Sequence, residues 1–87
     1  MEVMNWNHID GRLNRVISFG NQTEAAEFCL KVAQLSDNLD HHAEIRIFDY
    51  RFVELIIFDH ENGSVSDQDW MWARQVDLIL TSMNQAE

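Results

Sequence analysis

An α+β fold is expected from this sequence: a mostly antiparallel sheet of three to four strands with two helices packed on one face. Three observations predict it. Residues 13–19 alternate with period two, residues 44–58 are rich in Ile, Phe, Val and Tyr, and apolar side chains recur at helical spacing in 25–35 and again in 72–83.

In the first strand Leu13, Arg15, Ile17 and Phe19 alternate with Asn14, Val16 and Ser18, and Gly20-Asn21 breaks the pattern. Asn21 or Thr23 then caps a helix whose Ala25, Phe28, Cys29, Val32 and Leu35 share one face. That helix is expected to fade by Ser36 to Asn38, where polar side chains compete for the backbone. Two strands follow, Ile45–Phe48 and Phe52–Phe58, joined by a tight turn near Asp49-Tyr50. Val53, Leu55 and Ile57 face one side of the second strand, and Phe52, Glu54, Ile56 and Phe58 the other. Apolar groups on both sides predict a strand covered twice, once by a partner subunit. Glu61 to Ser64 reads as a loop. Ser66 opens a second helix with Trp72, Ala73, Val76, Ile79, Leu80 and Met83 on its core face.

The whole chain, residues 1–87, is expected to form a single domain, and an apolar share of 46% argues against disorder. Net charge is −9, and the six bases are scattered, so direct contact with nucleic acid or an anionic membrane surface is disfavoured. No apolar run approaches the roughly 20 residues a membrane helix needs. A start without a basic and greasy leader, and a single cysteine, favour the cytoplasm.

Histidine carries the chemistry. Two of the four lie side by side at His41-His42, and His60 stands at the end of the long strand. Imidazole changes charge nearest physiological pH, so three in one cleft suit a reaction that moves protons between two atoms. Taken alone, these residues leave other readings open: solvated loop histidines, or a metal site with Asp40, Asp59 and Glu61. His8 lies in an N-terminal tail and receives no role, and Cys29 reads as an inert member of an apolar stripe. Trp72 reads as core and Trp70 as a boundary residue rather than as stacking platforms.

The run Asp37, His41-His42, Tyr50, His60 and Asp69 resembles, in order and spacing, the signature of the pterin-4a-carbinolamine dehydratase family. Flanking residues agree: Leu-x-Arg-x-Ile-x-Phe at 13–19, Phe28 through Val32-Ala33, Val53-x-Leu55, and Ser66-Asp-Gln-Asp69 leading to Ala73. The resemblance covers about residues 6 to 80 and is to a short form without the leading helix of longer members. It implies dehydration of a 4a-hydroxytetrahydropterin to the quinonoid dihydropterin, without metal or organic cofactor. His41 and His60 would be the acid and base, His42 would hold the pterin and share proton traffic, and Asp69, Tyr50 and Asp37 would support the site. A homodimer or homotetramer with sheets joined across subunits is also implied. Relatives that act as transcriptional coactivators or Rubisco assembly factors make a non-catalytic binding module the alternative. Departures are Ala43 where the family has Pro, Asp59 where Thr is common, and Ser64 at the second loop glycine. Asp69 also has a purely structural reading, because Ser66-x-x-Asp69 resembles a helix capping box.

Overall fold

The computed structural model describes residues 6–59 and 63–85. Among these, the chain runs β1 (Asn7–Ile9), β2 (Arg12–Ser18), α1 (Gln22–Leu39), β3 (Glu44–Phe48), β4 (Phe52–Ile57) and α2 (Asp67–Gln85). The strands form one antiparallel sheet in the order β1-β2-β4-β3. Both helices pack on one face, so the fold is α+β as the pattern predicts. Strands β2 and β3 run parallel with β4 between them, and α1 makes the crossover.

Turn chemistry sets the hairpins. Asp10 and Gly11 both hold positive φ, 55° and 75°, the geometry of a two-residue turn whose twist matches its flanking strands. A Cβ on Gly11 would strike the Gly63 carbonyl oxygen, so glycine is required there twice over. The hairpin adds a strand that the alternation pattern does not predict, β1, and His8 therefore lies in the sheet rather than in a tail. Its signal was the Asp10-Gly11 pair. In the second hairpin Asp49 and Tyr50 take φ of 45° and 54°, which places the turn where it is expected.

Helix α1 starts at Asn21, whose side chain accepts from the Glu24 N–H at 2.8 Å. It does not fade at Ser36 but runs to Leu39. The Ser36 hydroxyl bonds back to the Val32 carbonyl at 2.9 Å and accepts the Trp72 indole N–H at 3.0 Å, so its polarity is spent inside the fold. Past Leu39, Asp40 takes the left-handed conformation (φ 51°, ψ 44°). The Asp40 N–H then donates to the Asp37 carbonyl and the His41 N–H to the Ser36 carbonyl, closing the helix as a Schellman motif.

One apolar core joins the layers. Leu13, Val53, Leu55 and Ile57 from the sheet meet Ala25, Phe28 and Val32 of α1 and Trp72, Ala73, Val76 and Leu80 of α2. Each fully buried Leu, Ile, Val or Phe contributes about 1.5–3 kcal/mol, and these positions follow from the two periodicities. Trp6 extends the core, meeting Trp72 edge-on at 5.6 Å and donating its indole N–H to Asp77 at 3.1 Å. Asp77 also pairs with Arg15, the charged member of β2's inward row.

On the other face of β4, Phe52 and Ile56 are half-buried within a single chain. Phe48 stacks on Phe52, and the Arg46 and Arg51 guanidinium groups lie over these rings at 4.7 and 4.5 Å. Cross-strand neighbours thus cover part of the apolar surface that the sequence reading assigned to a partner. Among the described residues no helix is long and apolar enough to cross a membrane.

Candidate active site

Strand register decides where the candidate residues meet. Glu44 at the start of β3 pairs with Ile56 near the end of β4, and Leu13 at the start of β2 pairs with Ile57. One end of the sheet therefore collects the exit of α1, the Asp10-Gly11 turn, the end of β4 and the start of α2. His41 and His42 lie at this end, on the segment between α1 and β3. His60 falls outside the described residues. Its flanks at Asp59 and Gly63 belong to the same end, where the Asp59 N–H donates to Ser64 O at 3.0 Å and the Gly63 N–H to Asp59 O at 2.8 Å. Among the described residues of this loop the positive φ falls on Gly63 and not on Ser64, so serine at the second glycine position is accommodated.

Among the described histidines His41 is the best held. Its Nε2 lies 2.5 Å from Asp69 Oδ1, shorter than an ordinary N–H···O hydrogen bond. The Asp69 side chain is fully buried, and that of His41 is 18% exposed. Asp69 Oδ2 accepts the Ser66 N–H at 2.8 Å, and the Asp69 N–H reaches Ser66 Oγ at 3.3 Å. Reciprocal bonds of this kind form a capping box at the start of α2. The carboxylate lies in the first turn, where the helix dipole favours negative charge. Asp69 is thus both a capping residue and the partner of His41. With Nε2–H donated to the carboxylate, the His41 Nδ1 is the nitrogen left for a proton transfer.

His42 is placed differently. Its Nε2 meets Asp37 Oδ1 at 2.9 Å, and both side chains are exposed. Asp37 sits in the last turn of α1, so the pair braces the chain just past the helix end. Ala43, where the family has proline, is half-buried against the core. Tyr50 is 56% exposed in the turn between β3 and β4. It lies at the opposite end of the five-residue β3, roughly 16 Å along the strand, so one chain does not bring it to His41.

His8 lies on β1 with its ring edge-on to Trp70 at 5.6 Å. Trp72 is fully buried, as core, and Trp70 is half-buried. Burial pushes the Cys29 thiol up, away from the thiolate a nucleophile needs. Among the described residues no three His, Cys, Asp or Glu side chains are grouped as a metal ion would require. Ser36 escaped the sequence reading because a buried hydroxyl with a tertiary partner has no local signal.

A buried carboxylate thus orients one imidazole, with a second, carboxylate-paired histidine next to it in the chain. The sequence pattern described as pterin 4 alpha carbinolamine dehydratase matches residues 1–79. The chain belongs to that family. A Bradyrhizobium sp. (strain BTAi1) relative, provisionally named pterin-4-alpha-carbinolamine dehydratase, is 35% identical over 90% of this chain and 80% of its own. The crystal structure of a Brucella melitensis protein described as a transcriptional coactivator/pterin dehydratase superposes with a TM-score of 0.80 at 26% identity. That superposition covers 87% of this chain and 82% of the other. A pterin dehydratase-like RuBisCO assembly factor of the alpha-carboxysome shares the fold at 19% identity, with a TM-score of 0.68 over 84% and 83% of the two chains.

Proposed function

We propose that this member of the family dehydrates a 4a-hydroxytetrahydropterin to the quinonoid dihydropterin, with His41 as the proton-transferring group. One proton leaves the pterin ring while another joins the departing 4a-hydroxyl, which goes as water. His41 and His60 serve as the acid and base and His42 shares the proton traffic. Asp69 holds His41 with one nitrogen toward substrate. The observation that carries the reading is the 2.5 Å bond from the His41 imidazole to a fully buried carboxylate on another element. Positioned acid–base groups accelerate such steps by roughly 10²–10⁴-fold. No metal or organic cofactor enters this scheme. Self-association as a homodimer or homotetramer is part of the proposal, supported by β3, which among the described residues is an edge strand paired with β4 alone.

The test is the decay of the 4a-hydroxypterin absorbance. Micromolar protein is expected to speed it, and His41→Ala or His60→Ala to remove most of that effect, about 10²-fold or more. Wild-type protein that leaves the decay unchanged ends the reading.

A second role in binding another protein is favoured by the groove between α1 and α2, about 410 Å³, where Leu35, Leu78 and Ile79 are framed by Lys31, Gln34 and Gln75. A partner held equally by wild type and His41→Ala, and released by Leu78→Asp, would support that role.

A further inference from the structure

We propose that Ser36 is a positioning residue for the His41 imidazole, an inference that rests on His41 being the proton-transferring group. Three bonds converge on this one residue, which is 2% exposed. Its carbonyl accepts the His41 N–H at 3.0 Å, fixing the backbone from which the imidazole projects. Its hydroxyl accepts the indole N–H of the fully buried Trp72 at 3.0 Å and donates to the Val32 carbonyl at 2.9 Å.

Trp72 stands three residues after Asp69 on α2, so the two side chains share a face. Ser36 therefore ties together the segment carrying the imidazole and the helix carrying its carboxylate. Among the described residues Ser36–Trp72 is the one side-chain hydrogen bond between α1 and α2. An apolar contact would let α2 slide or roll by a fraction of an ångström. A directional bond inside a dry core does not, because an unmade partner there costs the full desolvation of the group. The 2.5 Å separation between His41 and Asp69 depends on that register.

The experiment compares Ser36→Ala, Trp72→Phe, the double variant and Ser36→Thr. A short imidazole–carboxylate bond gives a far-downfield N–H proton resonance, which is read without any turnover. Wild type and Ser36→Thr are expected to show it, and both single apolar variants to lose it. The double variant removes both partners together and is expected to regain stability without regaining the resonance. In turnover, kcat is expected to fall about tenfold to a hundredfold in Trp72→Phe, with KM unchanged within about twofold.

A resonance that persists in the folded single variants, or returns with stability in the double, overturns the proposal. If Ser36→Ala does not fold, Trp72→Phe decides, since its Ser36 hydroxyl still donates to Val32. If wild-type protein shows the resonance but no dehydration, the enzymatic reading falls and the positioning of His41 by Ser36 is still decided by the variants.

Discussion

Asp69 does two jobs with two oxygens. Oδ2 accepts the Ser66 N–H and Oδ1 accepts from His41, so capping and catalytic support, rival readings of the sequence, are compatible. Substitution separates them. In Asp69→Asn the amide has one oxygen and one NH2, and both of its neighbours are donors. With its oxygen toward the Ser66 N–H, the amide turns its NH2 to His41, whose Nε2 must then accept, so the imidazole proton moves to Nδ1 and the bond loses its charge. For a chain using His41 as proposed, kcat is expected to fall about 10²-fold with KM moved by less than about threefold. The stability of the fold is expected to fall by about 1–2 kcal/mol. Steady-state dehydration assays and urea titration of the same preparation read both. Unchanged kcat would leave Asp69 as a helix cap only.

At the scale of elements, local chemistry was legible and tertiary partners were not. The faces of α1 and α2 and the alternation of β4 follow from period alone, and the core matches them. The end of α1 does not. Ser36 to Asn38 reads as a fraying end because serine and asparagine compete for the backbone, and the sequence does not show that Trp72 supplies a partner 36 residues away. Where α1 stops is instead decided by Asp40, whose left-handed conformation lets the next amide reach back to Ser36 and turns His41 toward α2. Aspartate suits that position poorly on two counts: its Cβ opposes positive φ, and its charge meets the negative end of the helix dipole. Asp40→Gly relieves both and is expected to stabilise the fold by about 0.5–1 kcal/mol, net of the extra freedom glycine has when unfolded. A higher urea midpoint at constant m-value shows it. A lower midpoint would mean that the Asp40 side chain holds the turn by some other contact.

Across the whole molecule, sequence spacing places the site residues in order, and only the pairing register brings distant ones to one place. The pairing of Glu44 with Ile56 puts the end of β4 beside the exit of α1, while Tyr50, equally part of the family signature, goes to the other end of the sheet. Charge acts at this scale as well. With a net charge of −9, acid first relieves the chain's overall repulsion, down to an isoelectric point near 4.6, and below that the fold also loses what its ionised carboxylates contribute. Glu54, on the outer sheet face, is one. Hydrogen bonds from Arg46 at 2.5 and 3.1 Å, then one from Asn14 at 3.0 Å, hold its carboxyl below the ordinary 4.5. A depressed value in the fold means stability that is present in full above 4.5 and is lost as pH falls through the lowered value. Arg46→Gln removes the main cause. Its urea midpoint is expected to lie below that of wild type at pH 7, with the gap narrowing below pH 4.5 as Glu54 takes up its proton in both. Because Arg46 is largely exposed, the gap is small at best, and it also shrinks in about 1 M salt, where charges beyond about 3 Å are screened. A gap indifferent to both pH and salt would assign the loss to the Arg46 stem packed on Phe48 rather than to its charge.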